Sequence, residues 1–212
     1  MLRANTKFQL VLASQSPRRK ELLSHLGIKF EVIVSDINED REAPNPIQYV
    51  QDLANEKGAA ILSLLRQTKR FENPLVVAAD TTVVLGKKIF GKPASREEAG
   101  QMLQELSNRS HIVFTAVSIQ SFETSHVFCD QTEVEFGPIT PDLLEIYLAT
   151  GESLDKAGAY GIQGAGLMFI KAVRGSYSNV VGFPLDRFII ELIKFLHVGN
   201  ANEKTWRHDL FT

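Results

Sequence analysis

The sequence predicts a mixed α/β fold: a twisted mixed sheet with helices on both faces. Three observations predict it: helical and strand-like segments alternate through the first half, two long alternating stretches then follow one another, and helix-capping signals punctuate the order. With 212 residues, 44% hydrophobic and 23% charged, the chain can bury one substantial core, and a single domain over residues 1–212 is expected.

Residues 8–13 read as a short buried strand, and Ser16-Pro17 then opens a helix that ends near Gly27, with serine as N-cap and proline at the first helical position. A second strand over residues 28–34 leads into the acidic, irregular SDINEDREAPNP. There Asn45-Pro46 repeats the cap signal for a longer helix through about Thr68. Residues 75–79 are an apolar run of strand length ending in Asp80, and residues 81–85 continue it before Gly86-Lys87-Lys88 turns the chain. Ser95-Arg96-Glu97-Glu98 is a capping box for a helix to about Ser107.

The alternating stretches 111–122 and 126–136 flank a short polar turn and predict an antiparallel hairpin, which makes the sheet mixed. A helix from Pro141, a glycine-rich loop over 155–166, a strand over 167–173 and a last helix over 184–196 complete the order. The core is expected over about 8–196, with a polar tail at 198–212 that frays. The hairpin region is expected to form a lobe set off by a cleft from the first βα units.

The formal charge of -2 argues against a chain that coats a nucleic acid polymer. The one cysteine, Cys129, has no intrachain disulfide partner, and its place in an alternating stretch suggests a small buried thiol. The apolar run near residue 10 is too short for a signal-peptide core, and no run approaches the ~20 residues that span a bilayer. Cytoplasmic residence without membrane attachment is the expectation.

Ser14-Gln15-Ser16-Pro17-Arg18-Arg19 lies where a strand ends and a helix begins, so free backbone N–H groups face outward there. Two arginines in a first turn oppose the helix dipole. A bound phosphate would satisfy dipole, N–H groups and guanidinium together, whereas the alternative is a solvated Arg-Arg pair. Lys57 shares a helical stripe with Val50, Leu53, Ala54, Ile61 and Leu65. It either snorkels to the stripe's edge or enters a pocket and holds a phosphate.

Asp80, ending an apolar strand, projects a carboxylate at the sheet's carboxyl edge, or else caps the following turn. Glu39 joins it as a candidate ligand for a divalent cation, or is surface charge. Lys92 stands between a turn glycine and a rigid proline, and Gln163, in a loop with too many glycines for a helix, offers both donor and acceptor to a base edge. A P-loop sequence is absent, and the five histidines show no ligand spacing.

Taken together, LASQSPRRKELL at 12–23, AADTTVV at 78–84, GKP at 91–93, LDKAGAYGIQG at 154–164 and NVVGFPL at 179–185 resemble the Maf family of nucleotide pyrophosphatases. The resemblance covers about residues 8–196. It implies a mixed α/β fold with a deep cleft, related to the inosine triphosphate pyrophosphatases, and an often dimeric enzyme that uses Mg²⁺ or Mn²⁺ and releases pyrophosphate. Carried over by motif, Asp80 matches the family's general base. Ser14, Arg18, Arg19, Lys57 and Lys92 match its phosphate site, and Glu39 matches an acidic position that places metal or water.

Arg18, Thr81 and Gln163 match positions of substrate choice, in a combination similar to the subgroup acting on dTTP and UTP. Two other readings follow the same resemblance: a nucleotide-binding regulator of septum formation without important turnover, and a purine house-cleaning pyrophosphatase. Substrate consumption separates the first from the enzyme, and base choice separates the second.

Overall fold

A computed structural model describes residues 7–39, 45–197 and 206–212. In chain order the elements are β1 (Gln9–Leu12), α1 (Pro17–Ser24), β2 (Phe30–Val32), α2 (Pro46–Thr68), β3 (Pro74–Leu85), β4 (Lys88–Phe90) and α3 (Arg96–Leu106). There follow β5 (Ser110–Gln120), β6 (Ser125–Phe136), α4 (Pro141–Ala149), β7 (Ile170–Arg174), α5 (Tyr177–Val181), α6 (Leu185–Phe195) and α7 (Trp206–Leu210). The seven strands form one mixed sheet in the order β2-β1-β3-β5-β6-β7, with β4 paired to β3. β1 runs parallel to β2 and β3, while β4 and β7 are antiparallel to their neighbours. The expected mixed α/β class is therefore observed.

The cap signals act as the sequence suggests. Ser16, Asn45, Ser95 and Thr140 each accept a hydrogen bond from a first-turn backbone N–H, satisfying donors that the helix itself leaves over. Proline follows the cap in α1, α2 and α4, where its missing N–H costs nothing.

The chain divides into two compact units. The first comprises Met1–Asp80, Ala116–Cys129 and Leu185–Thr212; the second comprises Thr81–Thr115 and Asp130–Pro184. In the first, Val11, Ala13, Val76 and Ala78 of the parallel strands pack on Ile61 and Leu65 of α2. Gly58 on α2 lets a side chain come close: a Cβ there would lie 2.9 Å from Gln120 Nε2. That amide faces the backbone oxygen and Oδ1 of Asn55 and the hydroxyl of Ser118, each at 2.8 Å, and so fastens β5 to the helix. In the second unit, Val83, Phe90, Leu103, Val113, Phe136, Tyr147 and Phe169 centre an aromatic-rich core.

The expected continuation of the strand past Asp80 is observed, β3 running to Leu85 as the residues after Asp80 pair with β4, but other elements differ. Residues 167–169 are not strand: they belong to the 3-10 segment Gly164–Phe169, which exposes Leu167 and Met168 and turns Phe169 onto Phe136 and Tyr147. The short helix α5 was not expected.

The tail does not fray throughout. Trp206 and Phe211 are buried, and Phe211 bridges to Phe8, since these large apolar rings gain more from burial than the short segment loses on ordering. Residues 198–205 of that tail, and 40–44 of the acidic loop, lie outside the described residues. Cys129 is half-buried rather than fully buried.

His111 in the second unit is buried, with Nε2 2.7 Å from the Tyr160 hydroxyl and its ring edge-on to Phe136. Burial pushes its pKa down to about 4 and that of Tyr160 up. The folded state thus refuses a proton that the unfolded chain accepts near pH 6.5, so stability present above that pH is lost as the pH falls toward 4. Denaturant titrations from pH 7 to 4 should show this group contributing a slope of up to about 1.4 kcal/mol per pH unit. His111→Gln should flatten that part of the profile; an unchanged profile would mean that His111 does not titrate this way.

Candidate functional site

Ser14 follows the end of β1, and Asp80 lies three residues beyond Val77, the last β3 residue in parallel register with β1. Asp80 is therefore mid-strand in β3, yet just past the carboxyl end of the parallel section. There the neighbouring strand has ended and side chains can converge. Ser14 is buried; its Oγ accepts from the backbone N–H of Ser16 at 3.2 Å and from Arg19 Nη1 at 3.4 Å. The first turn of α1 contains no acidic residue, leaving Arg18 and Arg19 with the positive end of the helix.

Lys57 decides between the two fates the sequence left open. It does not snorkel: only 8% exposed, it reaches from the buried stripe of α2 to Asp80 Oδ1 at 2.7 Å and to Glu39 Oε1 at 2.8 Å. Asp80 is buried too, whereas the Glu39 side chain is 44% exposed, so the pair is sealed on one side and open on the other. Glu39 is fixed further through its backbone oxygen, which accepts from the Tyr49 hydroxyl at 3.3 Å.

Burial raises the proton affinity of Asp80 above the ordinary aspartate range, and the opposing charges of Lys57 and Arg19 do not cancel it. Burial likewise lowers the Arg19 pKa, with Asp80 opposing and Arg18 assisting. A bare aspartate is a weak base near neutrality; this one is stronger. Asp80 caps no turn, since the strand continues through it.

The second unit carries the other sequence-derived residues. Thr81 is half-buried, with its hydroxyl 3.0 Å from that of Thr115. Thr81 and Val83 share one face of β3 by strand alternation. Gly158 of the glycine-rich loop packs on that face so tightly that a Cβ would lie 2.9 Å from Val83 Cγ2. The Gly158 N–H donates to Gly91 O at 3.0 Å, tying the loop to the turn that presents the exposed Lys92. Gln163 is half-exposed at the start of the 3-10 segment and makes no capping bond with its side chain. Gly166 comes so near Gly161 that a Cβ would sit 2.1 Å from its carbonyl oxygen, which makes glycine obligatory there.

Ser14, Arg18, Arg19, Glu39, Lys57 and Asp80 thus belong to one unit, while Thr81, Lys92 and Gln163 belong to the other. Sequence reasoning missed Thr115 and Asn179, which hold Thr81. Threonine amid the buried run 111–120 was the available signal, and Asn179 opens the NVVGFPL motif. Among the described residues no group of three or more His, Cys, Asp or Glu is placed to hold a metal, and no helix is long and apolar enough to cross a membrane.

Fold and geometry define a mixed α/β protein whose cations and carboxylates gather where a parallel strand ends. The Maf-like protein family model matches residues 9–195, and the chain belongs to that family. A dTTP/UTP pyrophosphatase of Bacillus velezensis is 45% identical over 190 residues, covering 88% of this chain and 96% of that protein. One from Desulforamulus reducens is 45% identical over 189 residues, with 88% and 96% covered. Among solved structures, the Staphylococcus aureus Ham1 protein aligns with a TM-score of 0.45 at 16% identity, covering 89% of this chain and 98% of that one.

Removing the Lys57 charge should tie stability to pH. In metal-free Lys57→Met protein, Asp80 loses the cation that favours its ionised form, so its folded pKa rises further above the unfolded value near 4. The variant's deficit relative to wild type should then grow as the pH rises from 5 to 8, measured by urea unfolding. An equal deficit at both values would mean that Asp80 does not depend on Lys57.

Proposed function

We propose that the chain is a nucleoside triphosphate pyrophosphatase that hydrolyses dTTP and UTP to the nucleoside monophosphate and pyrophosphate. The observation that carries this reading is the buried Asp80, raised in proton affinity and held by Lys57 beside the arginine-bearing start of α1. The dTTP/UTP pyrophosphatase activity of the relatives supplies the substrate class.

Water attacks the α-phosphorus and passes its proton to Asp80; the bond from the α-phosphorus to the bridging oxygen breaks, and pyrophosphate leaves with that oxygen. Arg18, Arg19 and Lys92 neutralise the phosphates, and Ser14 orients Arg19. Lys57 has three ammonium hydrogens; two go to Asp80 and Glu39, and the third serves a phosphate oxygen. Thr81 and Gln163 take the base.

A divalent cation, Mg²⁺ or Mn²⁺, belongs to this reading. Glu39 and Asp80 both reach Lys57 Nζ and so bring two carboxylates near one another, a hard donor pair that would hold such an ion beside Lys57 when phosphate and water complete the shell. Bound there, it would neutralise phosphate charge and acidify water.

Pyrophosphate release across dTTP, UTP, CTP, dCTP, GTP, ITP and 7-methyl-GTP should favour dTTP and UTP; binding without turnover would sink the enzymatic reading. Asp80→Asn should fold normally and lose about two to four orders of magnitude in kcat. A folded Asp80→Asn protein with near-normal kcat would remove Asp80 from its role as base.

A further inference from the structure

Gln120, the last residue of β5, is a neutral amide buried against α2, and it meets the helix on either side of Lys57. Ser118 and Gln120 share one face of β5 by strand alternation. Gln120 is 3% exposed, and the two hydrogens of its Nε2 are shared among the backbone oxygen of Asn55, Asn55 Oδ1 and Ser118 Oγ, each 2.8 Å away. The same amide lies over Gly58, where a Cβ would stand 2.9 Å from Nε2 and 3.3 Å from Oε1. Glycine inside a helix is unfavourable relative to alanine, and here its lack of a side chain makes room for the amide. Asn55 precedes Lys57 on α2 and Gly58 follows it, so the contacts bracket the lysine.

Lys57 belongs to the packed interior, so its stem has little rotamer freedom and its ammonium follows the helix backbone. A slide or roll of α2 that drew Nζ away from Asp80 Oδ1, 2.7 Å distant, would also have to break the Gln120 contacts on both sides of Lys57. We propose that Gln120 is a positioning residue that acts through α2, its amide seating the helix at Gly58 so that Lys57 meets Asp80. All of these residues belong to one compact unit. Ile61 and Leu65 pack with Val11 and Val76 of the sheet independently of the amide, so its loss loosens the seat without releasing the helix. This inference rests on the reading of the Lys57–Asp80 pair as the catalytic centre of a nucleotide pyrophosphatase.

The test is a double-mutant cycle with Lys57→Met. Gln120→Leu keeps most of the buried volume and removes the donor. Its kcat/KM for UTP should fall about tenfold in the otherwise wild-type protein, the scale of one hydrogen bond, and by less than about twofold in Lys57→Met, where no ammonium is left to aim. An equal fall in both backgrounds, or no fall in folded Gln120→Leu, overturns the proposal. The same cycle in urea-unfolding midpoints gives a readout without turnover: Gln120→Leu should lower the midpoint further in wild type than in Lys57→Met, and equal shifts overturn the proposal. If Gln120→Leu does not melt cooperatively, Gly58→Ala takes its place in both cycles, because its Cβ displaces the amide, and the same outcomes decide. Wild-type protein that turns over neither UTP nor dTTP overturns the functional reading instead, while the unfolding cycle still decides whether Gln120 acts through Lys57.

Discussion

The contact between Lys57 and Asp80 is the constraint around which the first unit is arranged. An ammonium on the apolar stripe of a helix and a carboxylate in the middle of a buried strand are each costly alone, and each is tolerable because the other lies 2.7 Å away. Removing one partner of such a pair typically costs about 3–5 kcal/mol, since the survivor stays buried. Gly58 and Gln120 hold the helix register that aims Lys57, and the early end of β1 opens the space into which Asp80 projects. Glu39 completes the balance from the exposed side. The pair is thereby closed to bulk water at Asp80 and accessible at Glu39, an arrangement in which a base keeps a raised proton affinity and still meets a polar ligand.

A second, neutral cluster belongs to the other unit. Asp80 closes the first segment of the first unit and Thr81 opens the second unit, where Thr81, Thr115, Asn179 and Thr132 form a chain of hydroxyl and amide groups without formal charge. The two clusters differ in what they can discriminate. Charges such as those gathered at Lys57 and the start of α1 suit phosphate, which every nucleotide carries. Neutral hydroxyl and amide groups suit the pattern of hydrogens on a base edge, where nucleotides differ. Charge therefore suits catalysis, and hydrogen-bond direction suits selection.

Much of the fold is legible in the residues because its signals are local. The Ser-Pro, Asn-Pro and Thr-Pro caps mark helix starts, the three- and four-residue stripe identifies the buried face of α2, and the alternation over β5 and β6 gives the hairpin. The stripe also isolates Lys57 as an anomaly, and the five motifs name most of the candidate site. Errors arose where distant residues override local pattern. Residues 167–169 resemble a strand but are turned by the close approach of Gly166 to Gly161, and the polar tail is ordered by burial of Trp206 and Phe211.

By itself, then, the sequence determined the mixed α/β class, the starts of the capped helices, the family resemblance and the identity of the charged residues, since capping, periodicity and motif spacing act over a few positions. Only the tertiary structure decided that Lys57 pairs with Asp80 rather than reaching solvent, that burial raises the proton affinity of Asp80, and that Thr81 meets Thr115, which in turn donates to the backbone of Asn179. Each of these depends on desolvation or hydrogen-bond direction between residues 23 to 64 positions apart. Such properties exist only once the chain has brought those groups together and excluded water from around them.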